Sequence, residues 1–367
     1  MEEFSSLFEG VDDPRRSNAT RHSLHEMLMI ALLSVLCGGE GCADMERFGR
    51  AKEPFLRRFM VLKHGIPSHD AFSDLFNALD PGGLQTVLLR LVEDWAAVLD
   101  DDVIAIDGKS LRRSFADAAA RSPVHLVQAF AAGARLVLGQ VKVDGKSNEI
   151  TAMPKLLEML ALKGRIVTAD AMHTQRATAG TVTARGGDYV LALKANQDSL
   201  HEDVQLYLDD PAQRDERQSC QQVDGGHGRI ETRQATVCHE VAWLQERHDW
   251  PGLAAIGKIE ARRETPRKTT TETRYYIMSA PLSPERFQHV VRAHWTIENC
   301  LHWVLDVTMN EDRQRNRKHH GPENLAMMRR LALNIARREP TKDAMRGKLK
   351  RAAWNDDFLL NLIRAAA

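Results

Sequence analysis

Residues 1–100 place their hydrophobic side chains at helical spacing. The strongest stretches are 25–36 and 84–99, and a turn at 67–70 precedes a short helix predicted over 71–79, which ends before residues 80–83. Short helices around a tight turn are typical of a helix-turn-helix, but they are equally typical of a small bundle that only packs. We therefore predict an all-helical N-terminal domain over residues 1–100.

From Asp102 the pattern changes to short apolar runs of strand length, separated by turn residues. The predicted order is three strands, a helix, a strand, a helix and a strand. The strands are predicted at 103–107, 125–131, 136–143, 166–169 and 189–193, and the helices at 153–161 and 174–185. This order matches a ribonuclease H-like sheet, in which the first and fourth strands are neighbours.

Two further stretches follow this first part of the core, which we assign to residues 101–196. Residues 197–283 carry alternating, charged and threonine-rich segments, and these predict a β-rich insertion. Residues 284–367 return to helical spacing and form the helical second part of the core, with a basic C-terminal region. The expected fold is therefore α/β: a ribonuclease H-like catalytic core with a β-rich insertion, preceded by an all-helical N-terminal domain.

Three carboxylates stand where such a core would bring them together. Asp107 ends the apolar run of the first strand, Asp170 ends that of the fourth strand, and Glu298 lies in the later helical stretch. Acids just past the ends of neighbouring strands meet at the carboxyl edge of a sheet. Carboxylates suit hard divalent cations, and two such ions clamp the attacking and leaving oxygens of a phosphodiester. The pattern predicts a two-metal site, with Mg²⁺ as the expected ion and Mn²⁺ as its substitute.

These acids also have simpler explanations. Aspartate is common where a strand meets a turn, so Asp107 and Asp170 could be strand-end caps. Glu298 has three rivals, which are Asp306, Glu311 and Asp312. On a regular helix, four-residue spacing places His294, Glu298 and His302 on one face. Because the His-Glu-x-x-His arrangement of a zinc site is missing, packing or hydrogen bonding near phosphates is the preferred interpretation for both histidines.

Net charge is zero, with 50 basic and 50 acidic residues, and gives no reason to expect a nucleic-acid partner. The distribution of charge along the chain does give a reason to expect such a partner, because lysine and arginine are concentrated over residues 313–351. A local basic stripe is what a phosphate backbone requires. We expect Arg313, Arg329 and Arg330 in this stripe to contact DNA, although a solvated helix surface explains any single arginine equally well.

The five cysteines contain no Cys-x-x-Cys pair, which argues against a zinc knuckle and predicts reduced thiols. The apolar stretch 27–36 is too short to cross a bilayer, and the N-terminus shows no signal-peptide pattern. We expect a cytoplasmic bacterial protein that has no membrane partner and joins the nucleoid when it binds DNA.

Four blocks of residues carry a family resemblance. They are 107–112 (DGKSLR), 169–175 (ADAMHTQ), 188–197 (DYVLALKANQ) and 294–299 (HWTIEN). In this order they resemble the ISAs1 family of insertion-sequence transposases, which includes the H-repeat-associated proteins and lies within the IS4-like DDE class. Residues 12–15 and 65–70 resemble the family's N-terminal associated region, so the resemblance covers nearly the whole chain. It implies a catalytic triad of Asp107, Asp170 and Glu298 that binds the metal ions.

The surroundings of the glutamate depart from the wider class, which usually has Tyr, Arg and Lys at fixed spacing around it. Val291, His294 and Leu305 stand at those positions, so the residue that grips the scissile phosphate is left open. Other candidates for DNA contact or site support are Lys109, Arg112, His173, Lys194, Asn196, His294 and His302. In the insertion, Trp243 and Trp250 are candidates for stacking on an unpaired base, although tryptophan in a β-rich module is more often part of the core.

These observations predict a DDE transposase that cleaves DNA strands and transfers them to a target. The expected partner is double-stranded DNA, both transposon ends and target, bound by a homodimer, and the N-terminal helical domain is expected to read the ends. Two alternatives remain open. One is a catalytically silent DNA-binding protein derived from a transposase, and the other is a metal-dependent nuclease without strand transfer.

Overall fold

The computed structural model describes residues 7–16, 20–95, 102–114, 123–143, 149–226 and 228–364. Five helices come first: α1 Leu24–Leu36, α2 Cys42–Ala51, α3 Glu53–Leu56, α4 His69–Ala78 and α5 Pro81–Trp95. Ser68 caps α4 by accepting a hydrogen bond from the backbone N–H of Ala71 at 3.3 Å. The predicted break at 80–83 instead opens α5, because proline fits the first helical turn, where its missing N–H costs nothing.

A nine-stranded mixed sheet follows, in the order β3-β2-β1-β4-β5-β9-β8-β7-β6. Its strands are β1 Val103–Leu111, β2 Val124–Ala131, β3 Leu136–Lys142, β4 Ile166–Ala169, β5 Asp188–Leu193, β6 Arg217–Gly226, β7 Arg229–Cys238, β8 Ala255–Glu264 and β9 Thr269–Met278. β1, β4 and β5 are parallel, and the other pairs are antiparallel. Strands β6–β9 of the predicted insertion therefore extend the central sheet through the pairing of β9 with β5.

The remaining helices pack against this sheet or against the N-terminal helices. They are α6 Glu149–Glu158, α7 Arg176–Ala184, α8 Asp198–Asp209, α9 Ala242–His248, α10 Pro284–His294, α11 Gly321–Arg338, α12 Met345–Trp354 and α13 Asp356–Arg364. The sequence did not predict β6, α8 or α9, and it predicted residues 284–367 to be helical without separate bounds for α12 and α13. No helix among the described residues is both long and apolar enough to cross a bilayer.

Alternate residues of the central strands face opposite layers, as strand geometry requires. In β1, Ile104 and Ile106 pack in the same cluster as α6, whereas Val103 packs with α10 and Ala105 with α11. Continuing this alternation places Asp107 on the face covered by α10 and α11. The same count along β4 and β5 places Asp170 and Lys194 on that face, which is where the candidate site forms.

The N-terminal helices share one hydrophobic core with the C-terminal helices. This core includes Leu28 and Leu32 of α1, Phe76 of α4 and Leu331 of α11, all buried. The exposed side of α4 carries Asp70 and Asp74, and α4 contains no lysine or arginine. This surface offers a phosphate backbone no cation from lysine or arginine, so DNA recognition by the N-terminal helices stays a prediction.

Two buried asparagines fasten α11 to its neighbours. Asn324 donates to the backbone oxygens of Phe76 and Leu79, each at 2.8 Å, and so holds the end of α4. Asn334 pairs with both backbone groups of Val137 in β3, accepting at 2.9 Å and donating at 2.8 Å. Because β3 is an edge strand, this amide satisfies backbone groups that no neighbouring strand pairs.

Replacing Asn334 with leucine tests how much this contact stabilises the fold. Leucine keeps the volume but leaves the N–H and C=O of Val137 buried without partners, which should lower the free energy of unfolding by about 1–3 kcal/mol for each group. Denaturant unfolding measures the change. Asn299→Ala is the control, because Asn299 is exposed and its side chain bonds only within its own helical segment, to the oxygen of Trp295. Equal stability of both variants would contradict this account.

Candidate active site

The two aspartates lie side by side where the parallel pairing of β1 with β4 ends. β1 itself continues to Leu111 beside β2, so the strand is longer than the predicted 103–107. β1 and β4 pair in parallel register up to Ile106 and Ala169, and Asp107 and Asp170 are the next residues on each strand. Neighbouring strands are about 4.8 Å apart, so the two side chains emerge close together on the same face. This placement agrees with the predicted meeting of Asp107 and Asp170.

The segment that carries Glu298 is not the regular helix that its sequence predicts. α10 ends at His294, and Ile297–His302 and Val304–Thr308 form π-helical turns. In these turns the N–H of Trp303 donates to the oxygen of Glu298, and the N–H of Met309 donates to that of Val304 at 3.1 Å. Such turns occur often at functional sites. Here Ile297 is buried while the neighbouring Glu298 is exposed.

Each aspartate faces one histidine of this segment. The Oδ1 atom of Asp170 is 3.6 Å from Nε2 of His294, whose Nδ1 is 3.1 Å from the hydroxyl of Thr168. The Oδ2 atom of Asp107 is 3.6 Å from Nδ1 of His302. The two histidines therefore serve different aspartates, and neither the sequence spacing nor the contacts form a zinc site from them.

The charges of the other two acids act on Asp107. Burial raises the pKa of Asp107 to about 6, and the negative charges of Asp170 and Glu298 add to this rise, against the N–H of Gly108 and His294. The interaction with His294 lowers the pKa of Asp170 despite burial, and Lys194 contributes. Of the two aspartates, Asp107 is thus the one whose ionisation the fold opposes.

The rivals of Glu298 have other partners. Asp306 accepts a hydrogen bond from the Nζ of Lys109 at 2.6 Å, and Oδ2 of Asp312 is 3.4 Å from Nε of Arg112. Glu311 is completely buried in an ion pair with Arg330. Glu298 is the acid of this stretch whose charge acts on Asp107.

A further carboxylate, Glu149 at the start of α6, was missed by sequence analysis. It lies against Gly108, where any side chain would collide with it, and it lines the same cavity as Asp107 and Asp170. Its oxygens face His125 and His173, the latter at 3.0 Å. Burial alone would raise the pKa of Glu149, but these two histidines hold it at about 2. No motif marked Glu149, because its position follows only from the contact of α6 with β1.

The predicted DNA-contact residues differ in how far the structure exposes them to solvent. Arg112, Lys194, Asn196 and Arg313 are exposed, although the amide of Asn196 also donates to the oxygen of Ala171 at 2.6 Å. His294 and His302 are largely buried and face the aspartates. The other four, Lys109, His173, Arg329 and Arg330, are buried, which argues against direct DNA contact by their side chains.

Each buried residue has an internal role instead. Lys109 pairs with Asp306, and His173 faces Glu149. Arg329 donates to the side chain of Gln314 and to the backbone oxygen of Glu40. Arg330 donates to both oxygens of Glu311. Their charges are used inside the fold, and phosphates cannot reach them.

The tryptophans of the predicted insertion belong to the core. Trp250 is buried, with the guanidinium of Arg176 over its ring, and Trp243 packs on Tyr207 with ring centres 5.1 Å apart. Trp295, next to His294, lines a cavity of about 650 Å³ beside Asp170 and carries the guanidinium of Arg274 at 4.5 Å. Trp295 is therefore the tryptophan beside the acids.

The donor set suits a hard divalent cation in chemistry, because Asp107, Asp170 and Glu298 offer carboxylate oxygens. Within the part of the chain that the structure describes, no three Asp, Glu, His or Cys side chains are grouped closely enough to hold an ion as they stand. Asp107 and Asp170 face histidines at 3.6 Å, so both carboxylates would have to turn toward a shared ion.

The raised pKa of Asp107 predicts a pH-dependent gain from Asp107→Asn in the metal-free protein. An unfolded chain ionises this group near 3.8 and the folded chain near 6, so the folded state holds the extra proton in this window. Ionisation therefore lowers stability as pH rises from about 3.8 to about 6. Above about pH 6, the free energy of unfolding of the variant should exceed that of the wild type by up to about 3 kcal/mol, at about 1.36 kcal/mol per pKa unit.

Denaturant unfolding at about pH 7.5 and about pH 4.5 measures this gain, which should shrink toward the lower pH. Asp74→Asn, on the exposed side of α4, is the matched control and should show no such trend. A gain that is equal at both pH values would show that the effect does not come from ionisation of Asp107.

Comparisons with known proteins agree with this geometry. A family model described as "Transposase DDE domain" matches residues 99–335, and one described as "DDE_Tnp_1-associated" matches residues 5–92. The "H repeat-associated putative transposase YhhI" of Escherichia coli strain K12 is 35% identical over 364 residues, which cover 96% of this chain and 95% of that protein.

Two other relatives match shorter parts. The "Uncharacterized protein in dhlA 3'region" of Xanthobacter autotrophicus is 42% identical over 286 residues, covering 76% of this chain and 95% of that protein. The "Inactive transposase YbfQ" of Escherichia coli strain K12 is 31% identical over 74 residues, covering 19% of this chain and 88% of that protein. The chain therefore belongs to the DDE transposase domain family, with its associated N-terminal region, in a group with the H repeat-associated proteins.

Proposed function

We propose that the protein is a DDE transposase that cleaves DNA at transposon ends and joins the freed 3′-hydroxyl to target DNA. The supporting observation is the position of Asp107 and Asp170 where the parallel pairing of β1 with β4 ends, together with the contribution of Glu298 to the raised pKa of Asp107. We assign these three acids as the catalytic carboxylates. The proposal includes Mg²⁺ as the ion, Mn²⁺ as its substitute and a homodimer as the DNA-bound form.

The sheet order supports a ribonuclease H-like catalytic core. β3, β2 and β1 are antiparallel neighbours, and β4 and β5 continue parallel to β1, so the first and fourth strands meet. This was the arrangement expected from the sequence. We assign the edge at which β1 and β4 stop pairing, next to Asp107 and Asp170, as the catalytic edge, with β6–β9 as an extension on the far side of β5.

The acids, Lys194 and His294 would each have a separate role in the reaction. Asp107, Asp170 and Glu298 would hold the divalent ions, which, when bound, activate the attacking oxygen and neutralise charge on the leaving one. Lys194 is exposed beside Asp170 and is placed to meet a phosphate oxygen. His294 stands where the wider class usually has an arginine near the glutamate. Its contacts with Thr168 and Asp170 orient its ring. Most of the rate enhancement would then come from positioning of the reactants and neutralisation of their charge.

A basic surface adjoins this edge and is our proposed contact for the DNA backbone. It consists of Arg112, Arg113, Arg313, Arg315 and Arg317, all exposed. Arg317 donates to the backbone oxygen of Arg113 at 3.2 Å, which holds the loop after Arg313 against the end of β1. Arg313, Arg315 and Arg317 belong to the basic stripe over residues 313–351 and face solvent, unlike the buried Arg329 and Arg330.

The catalytically silent alternative is kept because one relative carries the word "inactive" in its name. The three acids are present in this chain, which favours activity. Hydrolysis without strand transfer defines the nuclease alternative, so the products distinguish all three. Joined 3′-ends indicate a transposase, cleaved ends alone indicate a nuclease, and end binding without either product indicates a silent protein.

Glu298→Gln tests the assignment of the third acid. The change keeps size and removes the negative charge, so cleavage with Mg²⁺ or Mn²⁺ should fall at least about 100-fold, the scale of losing one group that stabilises transition-state charge. Binding to transposon-end duplex should stay near the wild-type level. Glu285→Gln, an exposed acid of α10, is the control and should cleave normally. Normal cleavage by Glu298→Gln would mean that the third acid is elsewhere.

The basic surface predicts a change in salt dependence. Replacing Arg313, Arg315 and Arg317 with alanine should weaken binding to every duplex and reduce the slope of log affinity against log salt by about 0.9 for each lost phosphate contact. Fluorescence anisotropy at several salt concentrations measures this slope. Arg247→Ala with Arg262→Ala is the control, because both arginines are exposed but paired with Asp203 and Glu264. An unchanged slope in the triple variant would show that this surface does not contact DNA.

A further inference from the structure

The outer face of α12 carries two cations and a tryptophan in one line. Leu349 and Ala352 on the inner face of this helix are buried. Arg346, Lys350 and Trp354 follow one another at four-residue spacing on the opposite face, and all three are exposed. They lie outside the acidic site and outside the basic surface around Arg313.

The fold holds this face outward. Lys348, on the inner side of α12, is buried, and its Nζ donates to the backbone oxygen of Ala336 at 3.1 Å and to that of Glu339. The same helix packs against residues 304–308, the second π-helical turn after Glu298. The orientation of α12 is therefore set by buried contacts, and its outer face lies on a helix beside the segment that carries the third acid.

Trp354 is the most exposed large hydrophobic side chain among the described residues, with 77% of its surface in contact with solvent. The Nζ atom of Lys350 lies 6.0 Å from the centre of its ring. A single exposed hydrophobic residue is ordinary on a protein surface, but a ring of this size in a line of cations is not. The combination indicates a partner that offers both negative charge and a flat apolar surface.

The charge around this ring is almost entirely positive. Lys342 and Arg351 are exposed as well, and the guanidinium of Arg351 lies over the ring of Phe358 at 4.1 Å. The single acid within residues 342–354 is Asp343. Its carboxylate folds back on Gly347, where any side chain would collide with it. A phosphate backbone complements such a surface.

Two other partners fit this face less well. A helix that binds a bilayer inserts its apolar side, but Leu349 and Ala352 are already buried in the protein. A second copy in a two-fold contact would present the same face, so Arg346 and Lys350 would meet their own counterparts. Like charges brought together oppose such an association.

We propose that the face of α12 formed by Arg346, Lys350 and Trp354 binds a single-stranded segment of DNA. The two cations contact phosphates, and an unpaired base stacks on the indole ring. Proteins bind single strands without sequence preference through this combination, whereas the bases of a duplex are already stacked on one another. The inference rests on the function proposed above, because strand cleavage produces ends at which nucleotides can unpair.

The test uses a fluorescein-labelled thymidine oligonucleotide of about 12 nucleotides, within the usual site size for single strands. Anisotropy measures its binding to the full-length protein in EDTA, beside a duplex of the same length. Trp354→Ala should weaken oligonucleotide binding about 5–140-fold, which is ~1–3 kcal/mol for one base stack at ~1.4 kcal/mol per tenfold change. Trp354→Phe should recover most of this loss, because it keeps an aromatic face, and duplex binding should stay near the wild-type level in both variants.

The cations are tested through salt. Arg346→Ala combined with Lys350→Ala should reduce the slope of log affinity against log salt for the oligonucleotide by about 0.7 for each lost phosphate contact. Arg262→Ala is the control, because Arg262 is an exposed arginine of β8 that pairs with Glu264 at 2.8 Å. An unchanged slope in the double variant overturns the proposal.

Other outcomes overturn the proposal as well: no oligonucleotide binding by the wild type, normal binding by Trp354→Ala, or an equal loss for oligonucleotide and duplex. So does a Trp354→Phe variant that melts normally but binds no better than Trp354→Ala. Sedimentation velocity adds one more, since a dimer that Trp354→Ala converts to a monomer would make a second copy the partner.

The two proposals fail separately. A wild-type protein that binds the oligonucleotide through Trp354 but never cleaves or joins DNA supports this face and refutes the transposase proposal. Cleavage and joining by the wild type, together with normal oligonucleotide binding by Trp354→Ala, refutes the role of this face alone.

Discussion

The structure depends on one ion pair that is completely removed from water. Arg330 and Glu311 have no exposed side-chain surface, and burying two charges is favourable only when nearly every donor and acceptor is satisfied. Glu311, Ala326 and Gln128 together satisfy the guanidinium, and this requirement ties α11 to the turn after the π-helical segment and to β2. Breaking such a pair typically costs about 3–5 kcal/mol, because one charge stays buried alone. The rear wall of the acidic site is therefore among the most constrained parts of the fold.

The sequence predicted the parts of the site that strand geometry controls. The apolar runs before Asp107 and Asp170 are bounded by turn residues and are too short for helices, which is why they were predicted to be strands. The structure confirms both strands as β1 and β4. With a period of two, each run also determines the face on which its last residue lies. The strand at 166–169 was likewise predicted with the bounds that the structure shows, because an apolar run marks it clearly.

Other parts depend on tertiary partners that no local pattern contains. Arg329 and Arg330 look like surface residues of a basic helix, but α11 is buried on nearly all sides, so charge did not indicate exposure. β6 is a mostly exposed edge strand of polar residues, and without a buried face it lacks the alternation that reveals a strand. The π-helical turns around Glu298 require bonds from residue i to i+5, which residue spacing does not signal. Glu149 and Gln128 enter the site only through packing of α6 and pairing of β2.

The position of Glu298 follows from how the chain returns after β9. Pairing of β9 with β5 brings the chain back to the strand next to Asp170, and Ser283 then starts α10 by accepting a hydrogen bond from the N–H of Arg286 at 3.2 Å. α10 packs through Phe287 and Val290 on the face of the sheet that carries both aspartates. Within the intervening stretch, Gln222 and Asp224 of β6 bond Gln288 and Arg292 of α10, so the extended sheet also helps to hold this helix. A third acid that is distant in sequence is thus placed by the same face of the same sheet as the first two.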